Sequence, residues 1–289
     1  MRAFENFAVI DWSGQAVARP KGLAVAHATL GTRAPHLLLP QGGWSRPSLL
    51  EWLQRLADAK TDILIGFDLS PALPFVDAGA YFPGWQSSPT EAKPLWALVD
   101  RISALDQHLS ISSFLLDPEA KRHFRQQSET GDLFPQGRGR LRVCEKRQRA
   151  AGLSPSSCFN LIGAAQVGKS SLTGMRLLNH LRGAIPVWPF DSVPASGPVL
   201  IEIYTTIAAR AAAIRKGLSK MRDADALDTA LEALGTERHA PLARYDDHAT
   251  DAILTTAWLR SAAGNRALWH PEALTPEIAV TEGWTFGVT

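Results

Sequence analysis

Cysteine is scarce in this chain, which contains only two, Cys144 and Cys158. Neither forms a CxxC pair, and neither lies beside paired histidines. This argues against a disulfide framework and against a structural zinc site. We therefore expect a reducing, cytoplasmic environment for the protein.

Long apolar runs and an excess of charge of one sign are also missing. No stretch approaches the roughly 18 apolar residues of a membrane-spanning helix, and the first residues lack the pattern of a signal peptide. The net charge of the 289 residues is +2 at pH 7, so only a local cluster could indicate a charged partner. With 45% hydrophobic and 20% charged residues, the composition is that of an ordinary globular protein.

The hydrophobic pattern predicts an α/β fold that begins with three strands. Short turns with glycine and proline separate strands at 6–11, 22–30 and 36–39, which favours an antiparallel meander. A helix near 47–59 then leads to a fourth strand at 62–68, which we expect to run parallel to the first. The later predicted elements are helices near 95–109 and 172–182, a fifth strand at 199–205, and helices near 206–216, 224–234 and 247–262.

Between the fourth and fifth strands, at 70–198, the pattern is looser. Prolines punctuate an aromatic-rich loop, and a long polar stretch follows later in the segment. The segment nevertheless retains many large apolar residues, which a solvated linker would not need. We therefore expect a single domain, 1–289, in which this segment is a large insertion.

Four acidic residues, Asp11, Asp68, Glu202 and Asp251, follow or lie within hydrophobic runs. A carboxylate in such a place is costly unless something compensates it. Magnesium and manganese take hard oxygen ligands, and two-metal sites draw carboxylates from several elements. Each acid alone could be structural, but the four together predict a bound magnesium or manganese ion.

The start of the last predicted helix adds to this pattern. Asp247, His248 and Asp251 can lie on nearly one face of the helix, where the two aspartates would repel each other without a cation. The alternative interpretation is structural. Asp246 and Asp247 suit the positive N-terminus of a helix, and the strand-end aspartates cap loops or helices.

These motifs resemble those of an uncharacterised bacterial family of predicted nucleases with a ribonuclease H-like fold. The resemblance covers most of the chain, with Asp-Trp-Ser-Gly at 11–14 and further motifs in the same order at 66–71, 201–204 and 247–252. It implies a mixed five-stranded sheet flanked by helices, with strands one to three antiparallel and strands four and five parallel. The site residues that it implies are Asp11, Asp68 and Asp251 as catalytic metal ligands, Glu202 and Asp247 as further metal candidates, and Ser13 and His248 in support.

The function that this resemblance implies is metal-dependent hydrolysis of a phosphodiester, as in a nuclease. In such a site one ion lowers the pKa of the attacking water and another stabilises the leaving oxygen. We keep two alternatives. One is a nucleotide-binding ATPase or kinase-like protein, because actin-like kinases also place acids at the ends of the first and fourth strands. The other is a non-catalytic scaffold that binds a partner through the insertion.

The octapeptide Gly-Ala-Ala-Gln-Val-Gly-Lys-Ser at 163–170 matches the phosphate-loop pattern G-x-x-x-x-G-K-[ST] in full. Its context argues against that role. The preceding residues, 157–162, are a poor strand, and Gly174 weakens the helix that should follow. We therefore favour a turn that binds no nucleotide cofactor, and keep Lys169 as a candidate phosphate contact.

Residues 121–149 carry nine basic and three acidic side chains, a net charge of 9 − 3 = +6. Glycines and a proline predict an exposed loop, and a basic loop beside an acidic metal site suits a nucleic-acid backbone. An equally good interpretation is a solvated face whose arginines pair with acids elsewhere, or an oligomer contact. The candidate nucleic-acid contacts are Arg138, Arg140, Arg142, Lys146 and Arg147, together with Lys169.

Overall fold

A central β-sheet organises the molecule. The computed structural model describes residues 2–127, 129–135, 137–162, 167–214 and 220–289. Within these ranges the strands are β1 (Asn6–Asp11), β2 (Ala24–Thr29), β3 (His36–Leu37), β4 (Ile63–Asp68), β5 (Arg125–Gln126), β6 (Glu129–Thr130), β7 (Val187–Trp188) and β8 (Val199–Glu202). Six of them form one sheet in the order β3-β2-β1-β4-β8-β7, and β5 pairs with β6 in a separate ribbon.

The central sheet is mixed. β1 pairs antiparallel with β2, and β2 with β3, whereas β4 runs parallel to β1 and to β8. The predicted α/β class, the antiparallel meander and the parallel fourth strand are therefore confirmed. The prediction of five strands is wrong, because β7 adds a sixth beside β8. This strand has only two residues, and Pro189 after it cannot donate a ladder hydrogen bond, so no strand pattern is visible in the sequence there.

Helices flank the sheet. Within the described ranges they are α1 (Arg46–Asp58), α2 (Ala92–Ile102), α3 (Ser112–Leu116), α4 (Val143–Ala150), α5 (Val167–His180), α6 (Thr205–Ala211), α7 (Ala224–Ala233), α8 (Asp247–Ala262), α9 (Arg266–Trp269) and α10 (Pro276–Thr281). None of these helices combines the length and the apolar character needed to cross a membrane. α4 has no counterpart among the predicted helices, because its eight residues are mostly polar and lack an apolar repeat.

The two faces of the sheet bury separate cores. Along β1, Ala8 and Ile10 belong to the core that contains side chains of α1, α2 and α5. Phe7 and Val9 belong to the core on the opposite face, which contains side chains of α6 and α8. This alternation follows from the two-residue repeat of a strand. Asp11 continues the second set and therefore faces α8.

The turn after β1 approaches α5 closely. The indole N–H of Trp12 donates to the carbonyl oxygen of Ser170 at 3.0 Å. A Cβ added to Gly14 would overlap the backbone of Lys169 and Ser170, so the absence of a side chain lets the turn pack against the helix. The motif Asp-Trp-Ser-Gly thus combines one acid with two residues that fix its position.

Arg46 holds the same turn from the other side. Its buried guanidinium donates to the backbone carbonyls of Ser13 at 2.7 Å, His108 at 2.8 Å and Gln15 at 2.5 Å. Burial lowers its pKa to about 10, with the charge of Arg176 adding to the effect. A buried guanidinium is costly unless its N–H groups are hydrogen-bonded. Arg46 therefore keeps its bonds to these carbonyls, and the bonds fix the backbone that follows Asp11.

The segment 70–198 is fixed to the rest of the fold by Glu282. One carboxylate oxygen accepts from the backbone N–H groups of Phe75 at 2.6 Å and Val76 at 2.9 Å, and the other from Val143 at 2.6 Å. β7, which belongs to this segment, is itself a strand of the central sheet. The segment therefore packs as part of the sheet and its covering helices.

Candidate functional site

Two aspartates lie side by side at the carboxyl ends of β1 and β4. Asp11 and Asp68 are register partners in this parallel pair, and neighbouring strands are about 4.8 Å apart. Strand alternation turns both side chains to the face covered by α8. Asp11 is buried and Asp68 is partly buried. The sheet therefore brings two of the predicted site residues together.

His248, in the first turn of α8, contacts Asp11. Its Nδ1 lies 3.0 Å from Oδ2 of Asp11, and this hydrogen bond raises the pKa of His248. Burial raises the pKa of Asp11, and the bond to His248 opposes that rise. A Cβ added to Gly22 would lie 2.8 Å from the imidazole, so Gly22 leaves the space that the ring occupies.

Asp251, one turn further along α8, adds a third carboxylate. Burial raises its pKa to about 7, and the negative charges of Asp11 and Asp247 add to the rise. The pKa of Asp68 is raised well above its ordinary value, first by burial and then by Asp11 and Asp251. Within the described ranges neither Asp68 nor Asp251 forms an ion pair with lysine or arginine. The three carboxylates therefore disfavour one another's ionisation.

The three acids form an open arrangement. Among the residues that the structure describes, no group of three or more histidine, cysteine, aspartate or glutamate side chains is positioned to hold a metal ion. One oxygen of Asp11 is engaged by His248. The three carboxylates are thus close enough for their charges to interact. Their side chains would have to rotate toward one another to bind a single ion.

Asp247 has two cationic partners. Lys220 Nζ lies 3.2 Å from Oδ2, and Arg222 Nη2 lies 3.0 Å from Oδ1. The second contact lacks hydrogen-bond geometry, so Oδ1 is paired by charge alone. Asp246 is the N-cap of α8 and accepts from the backbone N–H of Ala249 at 3.0 Å. The structural interpretation is therefore correct for Asp246, and Asp247 differs from Asp68 and Asp251 in having cationic partners.

Glu202 belongs to a separate buried ion pair. Alternation along β8 directs it to the face opposite the two strand-end aspartates. Its oxygens accept from the guanidinium of Arg142 at 2.7 and 2.5 Å, and one also accepts from the hydroxyl of Thr285 at 2.7 Å. Both oxygens of Glu202 are therefore engaged. The structure does not bring this predicted metal ligand into the acid cluster, which consists of Asp11, Asp68 and Asp251.

The prediction that Arg142 is an exposed phosphate contact is wrong. Its side chain is fully buried and also donates to Glu145 at 3.0 Å. Burial raises the pKa of Glu145, and the charge of Arg142 opposes that rise. Arg142 is thus the internal cation for Glu145 and Glu202. The local sequence does not indicate this role, because Glu202 is 60 residues away in the chain.

The rest of the basic stretch is divided between internal pairs and solvent. Arg140 pairs with Asp77, with Nη2 2.5 Å from Oδ1. Arg147 donates to the C-terminal carbonyl at 3.3 Å, and Arg138 and Lys146 are exposed. The interpretation in which arginines pair with acids elsewhere therefore holds for Arg140, and the exposed basic surface is smaller than the sequence predicts.

The phosphate-loop motif is only partly within the described residues, because 163–166 lie outside them. Its last four residues form the first turn of α5, where Lys169 is partly exposed. A Cβ added to Gly168 would overlap the carbonyl oxygen of Cys158, so this glycine allows close packing of the helix. The preceding residues, 157–162, contribute no strand to the central sheet.

A cleft of about 160 Å³ opens at the carboxyl ends of the strands. Asp68 and Glu202 line it from β4 and β8, Tyr204 from the residue that caps α6, and Ser170 from α5. Ligands of open α/β sheets bind outside this edge. Asp68 therefore belongs to the group of acids beneath α8 and also lines a cleft at the edge of the sheet where ligands bind.

The surroundings of the acids include one predicted residue, Ser13, and three that the sequence did not indicate. Ser13, predicted to support the site, has its hydroxyl 3.4 Å from the backbone nitrogen of Gln15 in its own turn. Gly22, Lys220 and Arg222 were missed. Gly22 is important because His248, distant in the chain, occupies the space beside it. Lys220 and Arg222 lie in a polar stretch without periodicity, so nothing in the local sequence indicates their role.

No known protein family, curated protein or solved structure matches this chain. The evidence for a function therefore lies in the acids of β1, β4 and α8 and in the groups around them.

Gly22→Ala should displace the imidazole of His248 from Asp11, because the new Cβ would lie 2.8 Å from the ring. We expect the raised pKa of His248 to fall toward the ordinary histidine value of about 6.5 when followed by NMR titration. Gly264→Ala is the matched control, since open space surrounds that position. An unchanged pKa of His248 in Gly22→Ala would contradict this arrangement.

Arg142→Met should destabilise the protein strongly, because it leaves Glu145 and Glu202 buried without their cation. We expect the free energy of unfolding to fall by about 3–5 kcal/mol, measured by chemical denaturation. Arg149→Met, an exposed change in α4, should alter it by less than about 0.5 kcal/mol. Equal effects of the two substitutions would mean that the buried pair does not stabilise the fold.

Proposed function

We propose that this protein hydrolyses phosphodiester bonds with a magnesium or manganese ion held by Asp11, Asp68 and Asp251. The observation that carries the proposal is the register pairing of Asp11 with Asp68 on adjacent parallel strands, under a helix that supplies Asp251. Acids from two strand ends and a covering helix are what a carboxylate-bound cation requires.

The topology supports a ribonuclease H-like fold for this proposal. β1, β2 and β3 are antiparallel neighbours, β4 and β8 continue the sheet in parallel, and α8 packs across β1 and β2. This matches the arrangement that the resemblance of the motifs implies, with β7 as an additional edge strand. The ends of β1 and β4 carry Asp11 and Asp68, and α8 carries Asp251, which supports this proposal.

The donor groups fit a hard divalent cation in kind and in charge. Carboxylate oxygens are the ligands that magnesium and manganese prefer. Asp68 and Asp251 lack a lysine or arginine ion pair within the described ranges. After burial, the charge of Asp11 raises the pKa of both, and the charge of Asp251 also raises the pKa of Asp68. A cation would remove this repulsion, whereas the neutralised Glu202 and Asp247 have less to gain from one.

A bound cation would supply Lewis acidity, which lowers the pKa of water and stabilises charge on a leaving oxygen. The protein's own residues would position the reaction. His248 orients Asp11 through Nδ1 and readily keeps a proton there, because its pKa is raised. Arg46 and Trp12 hold the turn that follows Asp11, so the carboxylate is supported by a rigid backbone.

Lys220 and Arg222 would contact a phosphate of the substrate. Their side chains are 68% and 54% exposed, and their partner Asp247 is partly exposed as well. Exposed ion pairs of this kind contribute little stability, so a phosphate group can replace Asp247 as the partner. The charge of Lys220 also lowers the pKa of Asp251, in opposition to the burial that raises it, which locates this cation beside the acids.

The double substitution Asp11→Asn and Asp251→Asn should abolish manganese-dependent cleavage of labelled oligonucleotides. We expect a loss of at least about a thousandfold in rate, because the cation would lose two of its three carboxylates. Circular dichroism should show that the variant is folded. Asp225→Asn, an exposed change in α7, should keep its activity. Full activity in the double variant would overturn the proposal.

The acids should also make stability depend on pH. The pKa values of Asp11, Asp68 and Asp251 are raised by burial in the folded protein, so the folded state binds protons more tightly than the unfolded state. The stabilisation from their protonation is complete below the ordinary pKa of 3.8 and is lost as the pH rises through the raised pKa of each acid, which is about 7 for Asp251.

Manganese should therefore raise the melting temperature more at about pH 8 than at about pH 5, where protons compete for the acids. At roughly 100 times Kd we expect a rise of about 5 °C at the higher pH. Asp68→Asn should raise the melting temperature at that pH without manganese and should remove most of the manganese effect. An equal manganese effect in Asp68→Asn and the parent protein would argue against cation binding here.

A further inference from the structure

An apolar groove of about 480 Å³ lies beside the acid cluster. One wall is formed by residues 36–40 with Trp44, and the other by residues 240–244. Small side chains of β2 and α8, including Ala24 and Ala249, form part of its lining. A space of this size and composition is typical of small-ligand pockets in proteins.

The groove is continuous with the acid cluster through His248. This residue lines the groove and at the same time contacts Asp11 through Nδ1 at 3.0 Å. With 46% of its side chain exposed, His248 is accessible to a ligand. A molecule that lies in the groove would therefore extend toward Asp11 and the other acids.

Two cations lie on the rim of this groove. Lys21 is exposed and has no ion pair among the residues that the structure describes. Arg244 is 83% exposed, and its one ion-pair partner within the described part of the chain, Asp246, is 3.8 Å away. Such cations suit phosphate groups, whereas the apolar walls suit a flat, weakly polar ring. A nucleotide joins these two chemical features in one ligand.

The aromatic wall is fixed in place. The indole N–H of Trp44 donates to the carbonyl oxygen of Leu38 at 2.8 Å, and the ring packs edge-on against Trp52. Trp44 remains only partly buried, and Leu39 beside it is 82% exposed. An exposed large apolar side chain next to a partly open aromatic ring suits the face of a nucleobase.

We infer that this groove binds an unpaired nucleotide of the substrate, and that the protein prefers single-stranded nucleic acid. A base in a duplex is stacked between its neighbours and has no free face to place against Trp44, whereas an unpaired base has one. The inference rests on the proposed phosphodiesterase function, because it concerns the substrate of the same acids.

Binding can be measured separately from cleavage. Fluorescence anisotropy in the Asp11→Asn and Asp251→Asn background would compare a labelled single-stranded oligonucleotide with the duplex of the same sequence. We expect the single strand to bind tighter, and Leu39→Glu and Arg244→Glu each to weaken that binding roughly tenfold. Both residues are exposed, so neither change should affect folding.

Two matched controls lie away from the groove. Leu105→Glu changes a leucine that is 95% exposed, and Arg149→Glu changes an exposed arginine of the basic stretch. Each should alter binding by less than about twofold. Equal effects of Leu39→Glu and Leu105→Glu, or duplex binding as tight as single-strand binding, would overturn the inference.

Failure of this inference and failure of the proposed function are distinguishable. If the parent protein shows no manganese-dependent cleavage but single-strand binding depends on Leu39, the groove assignment holds and the hydrolytic function fails. If cleavage occurs and Leu39→Glu leaves KM for a single strand unchanged, the hydrolytic function holds and the groove assignment fails. A dimer that Leu39→Glu dissociates without a change in oligonucleotide binding would identify the groove as a contact between copies, and would also overturn it.

Discussion

The register pairing of β1 with β4 is the constraint on which the rest of the structure depends. It fixes Asp11 beside Asp68, two like charges on strands about 4.8 Å apart. Backbone hydrogen bonds and a core on each face hold the strands together, so the carboxylates cannot separate without loss of the sheet. The carboxylates of Asp11 and Asp68 therefore repel each other, and a bound cation would relieve this repulsion. Functional sites commonly lower the stability of a fold in this way.

The fold distributes its cations selectively. Arg142 neutralises Glu202 and Glu145 in the interior, and its burial makes those acids part of the structure rather than of the site. The site acids Asp68 and Asp251 receive no such partner within the described ranges. Acids that look alike at the ends of hydrophobic runs are therefore separated into two groups by the presence or absence of a nearby guanidinium.

The surroundings of the acids point to an extended ligand. His248 links Asp11 with the apolar groove, so one side chain belongs to both places. Lys220 and Arg222 pair with Asp247 at the start of α8, and Lys21 and Arg244 line the groove. This distribution is the basis for the proposed substrate, in which phosphates contact the cations and an unpaired base lies in the groove.

Local sequence was sufficient for β1 and β4, whose short continuous apolar runs are typical of buried strands, and for α8, whose apolar residues continue over more residues than a strand has. It was also sufficient to identify Asp11 and Asp68, which end β1 and β4, and Asp251, near the start of α8, as candidates. Only the tertiary structure decided that Glu202 faces away from them and pairs with Arg142, that Gly22 makes room for His248, and that β7 extends the sheet. The reason is that a side chain's partner depends on contacts across the fold, which no local repeat in the chain encodes.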